Sequence, residues 1–301
     1  MLLIGDIGGT NARLAYSSDG LEILGTTIFS TAQSSSLTCL IEEFQSLTSC
    51  VITKACVAIA ASVVDGVASL TNGSWTARED SFSFPMHLVN DLEAAAWGIS
   101  SASSEQRKVL QKGQTSGGLS LVIGVGTGLG MAIFDQNTGK VYPTEVGHSN
   151  FAPFSIDSLT MWEALFLKNG RVRNEDVLSG IGLENILDFY LGEEVRAEEH
   201  GKVAGEILCE NIHSGSAEAL EFYAMALGSF LGDQCIAHNA TQVFLCGGVA
   251  QKMEQIFSWD CFWNAFREKE PMSHIVENAQ IELLLSTDLG LLGALNIVKD
   301  R

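Results

Sequence analysis

The chain contains two glycine-rich turns, each framed by apolar runs: "LLIGDIGGTNARLAY" from Leu2 to Tyr16 and "LSLVIGVGTGLGMAIF" from Leu119 to Phe134. Each reads as strand, tight turn, strand. The first is followed by a third β-prone run, "LEILGTTIF", then by "SSLTCLIEEFQSLT" with apolar residues at helical spacing, the apolar runs "ACVAIAAS" and "MHLVND", and the alanine-rich helix "LEAAAWGIS". The second is followed by "KVYPTEVGH", by helical segments of which "SAEALEFYAMALGSFLGDQCIAHN" is the clearest, and by the strands "QVFLCGG" and "QIELLLS"; "GLLGALNIVKD" forms a last helix. The same order of elements twice over predicts an internal duplication. A β-meander followed by alternating strands and helices predicts, in each half, a mixed sheet flanked by helices. The polar, glycine-bearing stretch 106–118 reads as a connection, so the expected division is a smaller α/β domain of residues 1–105 plus 288–301 and a larger one of 106–287. A ligand cleft is expected between two such halves.

A hairpin turn built from small residues can present consecutive backbone N–H groups to an anion. Gly8, Gly9 and Thr10 are candidates for one phosphate cradle, and Gly126, Thr127, Gly128 and Gly130 for a second. A plain tight turn explains either one alone; the pair favours phosphate. No G-x-x-x-x-G-K-[ST] occurs, and the second turn lacks dinucleotide-binding glycine spacing, which disfavours a P-loop kinase and a Rossmann dehydrogenase. Asp6 ends an apolar strand beside the first turn, where a carboxylate needs a cation or good hydrogen bonds. Mg²⁺ held through water suits it, and so does capping of the turn. The formal charge of −19 repels nucleic-acid phosphate and anionic membrane surfaces. A polyphosphate neutralised by backbone donors and a divalent cation remains compatible with that charge.

In "HLVNDLEAAAW" a strand gives way to a helix at Asn90 and Asp91. Asp91 there can accept a hydroxyl proton while Asn90 orients the same molecule, or Asp91 can simply cap a helix beginning at Leu92. Glu145 and His148 in "TEVGHSNFAP" fit polyol binding and loop solvation equally. Gly247 and Gly248 in "VFLCGGV" would allow close approach of a base and ribose, whereas Gly290 and Gly293 read as helix–sheet packing. The seven cysteines are scattered without a C-x-x-C pair, so neither a disulfide framework nor a zinc cage is expected. With no apolar window of membrane-spanning length, a cytoplasmic protein is expected.

"DIGGTNARLA", "TNGSW", "LVNDLEAAAWGI", "GVGTGLG", "EVGHSNFAP", "EDVLSGIGLENI" and "FLCGGV" together resemble, in order and spacing, the bacterial ATP-dependent glucokinase family of the hexokinase, actin and Hsp70 ATPase superfamily. The resemblance runs from Leu3 to about Ala294. It implies two ribonuclease-H-like (actin-like ATPase) domains that close on glucose, and transfer of the ATP γ-phosphoryl group to the glucose 6-hydroxyl. By the same resemblance Asp91 is the base. Asn90, Glu145, His148 and Glu175 hold the other sugar hydroxyls, and Asp6 attends Mg²⁺. Gly8 to Asn11 (Gly8, Gly9, Thr10, Asn11) and Gly126 to Gly128 bracket the phosphates, with Gly247 and Gly248 beside the adenosine. It also implies a homodimer with glucose and MgATP as its small-molecule partners. The chain departs from the family in being short between Glu184 and Gly215 and in reading "AIAASVVDG" where relatives carry a proline. The cysteine-rich zinc motif of the repressor/kinase sugar-binding group is absent. A kinase of mannose, fructose or an N-acetylated hexose, and a non-catalytic actin-like or sugar-sensing ATP binder, are the alternatives.

Overall fold

The structure, a computed structural model, describes residues 1–9, 11–70, 75–113, 115, 117–198, 203–210 and 213–300. The chain divides into two compact units, Met1–Ser104 with Val141–Pro143 and Ser286–Arg301, and Glu105–Lys140 with Thr144–Leu285.

The first unit opens with β1 (Leu2–Ile7), β2 (Asn11–Ser17) and β3 (Gly25–Ser30), followed by α1 (Leu37–Thr48) and β4 (Lys54–Ile59). A small three-stranded sheet of β5 (Val63–Val64), β6 (Val67–Ser69) and β7 (Thr76–Arg78) precedes β8 (Met86–Asn90) and α2 (Asp91–Gly98). The main sheet has the order β3-β2-β1-β4-β8; β1 is antiparallel to β2 and parallel to β4, which is parallel to β8. Alternation along β1 sends Leu3 and Ile7 to one face, where they meet Leu37, Leu40, Ile41 and Phe44 of α1, while Ile4 faces a separate cluster with the C-terminal helix Leu289–Asp300. The α1 contacts recur at three- and four-residue spacing, and Ser36 starts that helix by accepting the Cys39 N–H. α2 and the C-terminal helix pack backbone to backbone, since a Cβ on Gly293 would stand 1.7 Å from the Ala94 carbonyl oxygen. Gly293 therefore serves helix–helix packing rather than the helix–sheet packing expected. The β5–β6 hairpin was not anticipated, although Asp65-Gly66, both at positive φ, is a recognised two-residue hairpin turn.

The second unit contains β9 (Arg107–Gln111), β10 (Leu119–Val125) and β11 (Leu129–Asp135), and its sheet is bordered by β12 (Lys140–Thr144), of which only Lys140 and Thr144 fall in this unit. Helices α3 (Ile156–Asn169), α4 (Glu175–Leu178), α5 (Gly180–Leu191), α6 (Glu193–Glu198), α7 (Ala204–Glu210) and α8 (Ser216–His238) follow. β13 (Ala240–Cys246), α9 (Gly248–Lys252), α10 (Asp260–Arg267), α11 (Ser273–Asn278) and β14 (Gln280–Leu284) complete it. Its sheet order is β12-β11-β10-β13-β14-β9, the order of the first sheet with one strand added at the edge. That extra strand, β9, lies inside the stretch read as a plain connection and pairs antiparallel with β14. Its Arg107 and Lys108 hid it, because an edge strand carries charge that an apolar-period search discards. α8 lies within the core, with Phe222, Tyr223, Leu227 and Leu231 all fully or almost fully buried. Among the described residues no helix is long and apolar enough to cross a membrane.

Candidate active site

In the first unit the parallel strands end level with one another: Ile7 is opposite Ile59, and Ile59 is opposite Asn90. Asp6 and Asp91 thus emerge at the carboxyl ends of strands two positions apart, about 10 Å across the sheet by strand spacing, and in α/β sheets that end is where ligands bind. Asp6 faces Arg13 directly across the hairpin, and the Arg13 guanidinium donates to the Asp6 carboxylate. Arg13 also donates to Asp288 at 2.9 Å and to the Thr287 carbonyl at 2.7 Å. Gly290 leaves the space this requires, since a Cβ there would stand 2.8 Å from the Asp6 carboxylate. The Gly8 N–H closes the turn onto the Asn11 carbonyl at 2.9 Å, and the Thr31 hydroxyl donates to the Gly8 carbonyl at 2.9 Å. The Gly8 N–H is thus engaged within the turn itself; Thr10 lies outside the described residues.

Asn90 is the N-cap of α2. Its side-chain oxygen accepts the N–H groups of Leu92 and Glu93 at 2.9 and 3.2 Å, and its amide nitrogen donates to the Ala61 carbonyl at 3.2 Å. Asp91 is the first helical residue, half-buried, and its Oδ1 also accepts the Leu92 N–H at 2.9 Å. The cap is supplied by Asn90, so helix capping does not require a carboxylate at Asp91.

In the second unit the equivalent turn is closed in the same way, with Gly126 N–H donated to the Gly128 carbonyl at 3.0 Å. The Gly126 carbonyl accepts from Gly180 N–H at 2.8 Å, which ties the turn to the first residue of α5. That helix N-terminus carries partial positive charge and favours an anion nearby. Glu175, the first residue of α4, lies against the same turn: a Cβ on Gly128 would stand 3.3 Å from its Oε2. His148 Nδ1 is 3.1 Å from Glu175 Oε1, and Glu145 Oε2 is 3.9 Å from His148 Nε2. The loop bearing Glu145 and His148 is seated on β11, where a Cβ on Gly147 would stand 1.9 Å from the Leu129 carbonyl oxygen. Glu145, His148, Glu175 and the second glycine turn are therefore neighbours, whereas Asp6, Asn90 and Asp91 belong to the first unit.

Arg173 joins this group, with one guanidinium nitrogen 2.5 Å from Glu175 Oε1 and another 2.7 Å from Asp176 Oδ1. Hydrogen bonding to Asp176 raises the Arg173 pKa above its ordinary value, so the guanidinium stays charged. Gly247 follows β13 at φ +97°, and a Cβ there would stand 2.4 Å from the Val125 carbonyl oxygen, so glycine is required at 247 by the fold itself. A Cβ added at Gly248 would meet open space, so nothing around it requires glycine there. Among the described residues no group of His, Cys, Asp and Glu is placed to hold a metal unaided. With one Asp6 oxygen held by Arg13, the carboxylate fits Mg²⁺ met through water and already carried by phosphate oxygens.

Sequence reading passed over Arg13, Arg173, Asp176 and Asp288. The Arg13 signal was available, since pairing the hairpin about its turn sets Arg13 opposite Asp6. Two mixed sheets of matching strand order, with a glycine turn after β1 in one and after β10 in the other, define the actin-like ATPase fold. The sequence matches the glucokinase family model over residues 3–301. It is 32% identical to a glucokinase of Chromohalobacter salexigens, over 97% of this chain and 95% of that protein, and 28% identical to one of Nostoc punctiforme, over 98% and 97%. Among solved structures, a glucokinase from an Antarctic psychrotroph is 25% identical with a TM-score of 0.80, covering 100% of this chain and 99% of that one. The chain belongs to the glucokinase family.

Proposed function

We propose that the protein transfers the γ-phosphoryl group of ATP to the 6-hydroxyl of glucose, with Asp91 accepting the hydroxyl proton. Family membership supports the reaction, and the cap geometry is consistent with the base: Asn90 supplies the α2 cap, so capping does not account for a carboxylate at position 91. Asn90 keeps one amide N–H beyond its bond to Ala61 and can orient a sugar hydroxyl. Glu145, His148 and Glu175 hold the remaining hydroxyls. His148 Nδ1 lies 3.1 Å from Glu175 Oε1, which keeps the imidazole beside the acid as a second polar group for the sugar.

The turn of Gly8 to Asn11 and that of Gly126 to Gly128 cradle the phosphates, and Gly247 and Gly248 adjoin the adenosine. Magnesium, bound with ATP and met by Asp6 through water, supplies neutralisation of phosphate charge. The protein's own share is positioning: it sets the sugar hydroxyl in line with the γ-phosphorus and takes its proton. A homodimer in the cytoplasm completes the proposal. Asp91→Ala tests the base. Turnover is expected to fall roughly 10²- to 10⁴-fold with nucleotide affinity retained. A variant with the parent's turnover would remove Asp91 from the role.

A further inference from the structure

We infer that Arg173 is a positioning residue for sugar recognition, acting through Glu175. The inference rests on the reading of Glu175 as a sugar ligand. All three guanidinium nitrogens are engaged. Nε lies 3.2 Å from Asp176 Oδ2, a terminal nitrogen lies 2.7 Å from Asp176 Oδ1, and the other lies 2.5 Å from Glu175 Oε1. The Arg173 backbone N–H also donates to Asp176 Oδ2 at 2.7 Å, so the buried Asp176 carboxylate anchors the arginine at both ends. A planar fork held in this way has little freedom, and it fixes the carboxylate it touches.

Glu175 then has its two oxygens in different roles. Oε1 takes Arg173 and His148, while Oε2 lies by the second glycine turn. The same contact orders His148. Arg173 also approaches His148 Nδ1 at 3.5 Å, so the one guanidinium touches both the histidine and the acid. Arg173 also offsets the charge of two adjacent carboxylates, which would otherwise repel each other. A lysine could reach one of these acids but not bridge both with a planar fork.

The experiment is a cycle of Arg173→Ala, Glu175→Gln and the double variant, with Arg173→Lys alongside, reading KM for glucose, KM for ATP and kcat. Arg173→Ala is expected to raise the glucose KM roughly 10- to 100-fold, the scale of a lost charged hydrogen bond, with kcat within about threefold and the ATP KM unchanged. Arg173→Lys should recover part of that loss, and the double variant should be no worse than Glu175→Gln by more than about twofold. Additive effects, or equal damage to the ATP KM and kcat, would overturn the inference. If Glu175→Gln leaves the glucose KM unaltered, the reading of Glu175 itself fails. A raised KM in Glu175→Gln beside an unaltered one in Arg173→Ala removes Arg173 alone.

Discussion

The two glycine turns stand on equivalent frames but carry different chemistry. In each unit the turn follows the strand at the third place of the sheet order, β1 or β10, and its first glycine closes it by donating to a carbonyl on the returning side. In the first unit the residue before the turn's last apolar position is Asp6, clamped by Arg13, which also holds Asp288. In the second the strand ends in Val125, and charge arrives from elsewhere, through Glu175 and Arg173 at the start of α4. The two turns share a strand arrangement while the side chains around them differ. The first turn is held by an ion-pair network within the hairpin and its neighbouring loop; the second is held by backbone contacts to Gly180 and Gly147.

That contrast can be broken from either side. Of the changes to the turns' supports, the larger effect is expected in the second unit from Gly147→Val, because the new side chain must displace the Leu129 carbonyl, which is backbone and cannot swing away. Overpacking of this kind costs about 1–3 kcal/mol, and the glucose KM should rise by roughly tenfold or more as Glu145 and His148 move. An unaltered glucose KM would show that this loop is not held by Leu129. In the first unit Arg13→Ala leaves Asp6 and Asp288 without their shared cation. Its cost should be about 1–3 kcal/mol, read as a lowered Tm, with a raised Mg²⁺ requirement. Stability and Mg²⁺ dependence equal to the parent's would mean the clamp is incidental.

The smallest effect concerns two thiols and leaves activity aside. Cys39, exposed at the start of α1, has its pKa lowered by hydrogen bonds from Ser35 and then Ser36, whereas burial pushes the Cys235 thiol in α8 up to about 12. The thiolate is the reactive form and its fraction grows as pH rises through the pKa, so Cys39 should be modified first at mildly alkaline pH. Cys235 should react only after unfolding. Labelling of Cys235 in the native protein, read by mass spectrometry, would contradict its burial.

Much of the frame was legible because it rests on periodicity. The apolar run before Asp6 and the spacing of Leu37, Leu40, Ile41 and Phe44 each specify an element and its buried face. β9 was not legible, since edge strands wear charge, and the β5–β6 hairpin is shorter than any periodic signal. Within the site, residues that belong to quoted motifs could be named, while Arg173 and Asp176 could not. Their importance lies in a three-dimensional fork around Glu175, and nothing in "RVRNED" marks which arginine reaches an acid. The role of Asn90 as the cap, rather than Asp91, likewise depended on knowing where α2 begins.

The measurement that tests the account most directly is ADP release with MgATP and, in turn, glucose, mannose, fructose, N-acetylglucosamine, N-acetylmannosamine and no sugar. Release that depends on glucose and is near background without sugar is expected from a site in which a hydroxyl must occupy the place of the acceptor. Rapid release without sugar, or with another hexose in preference to glucose, would contradict the assignment.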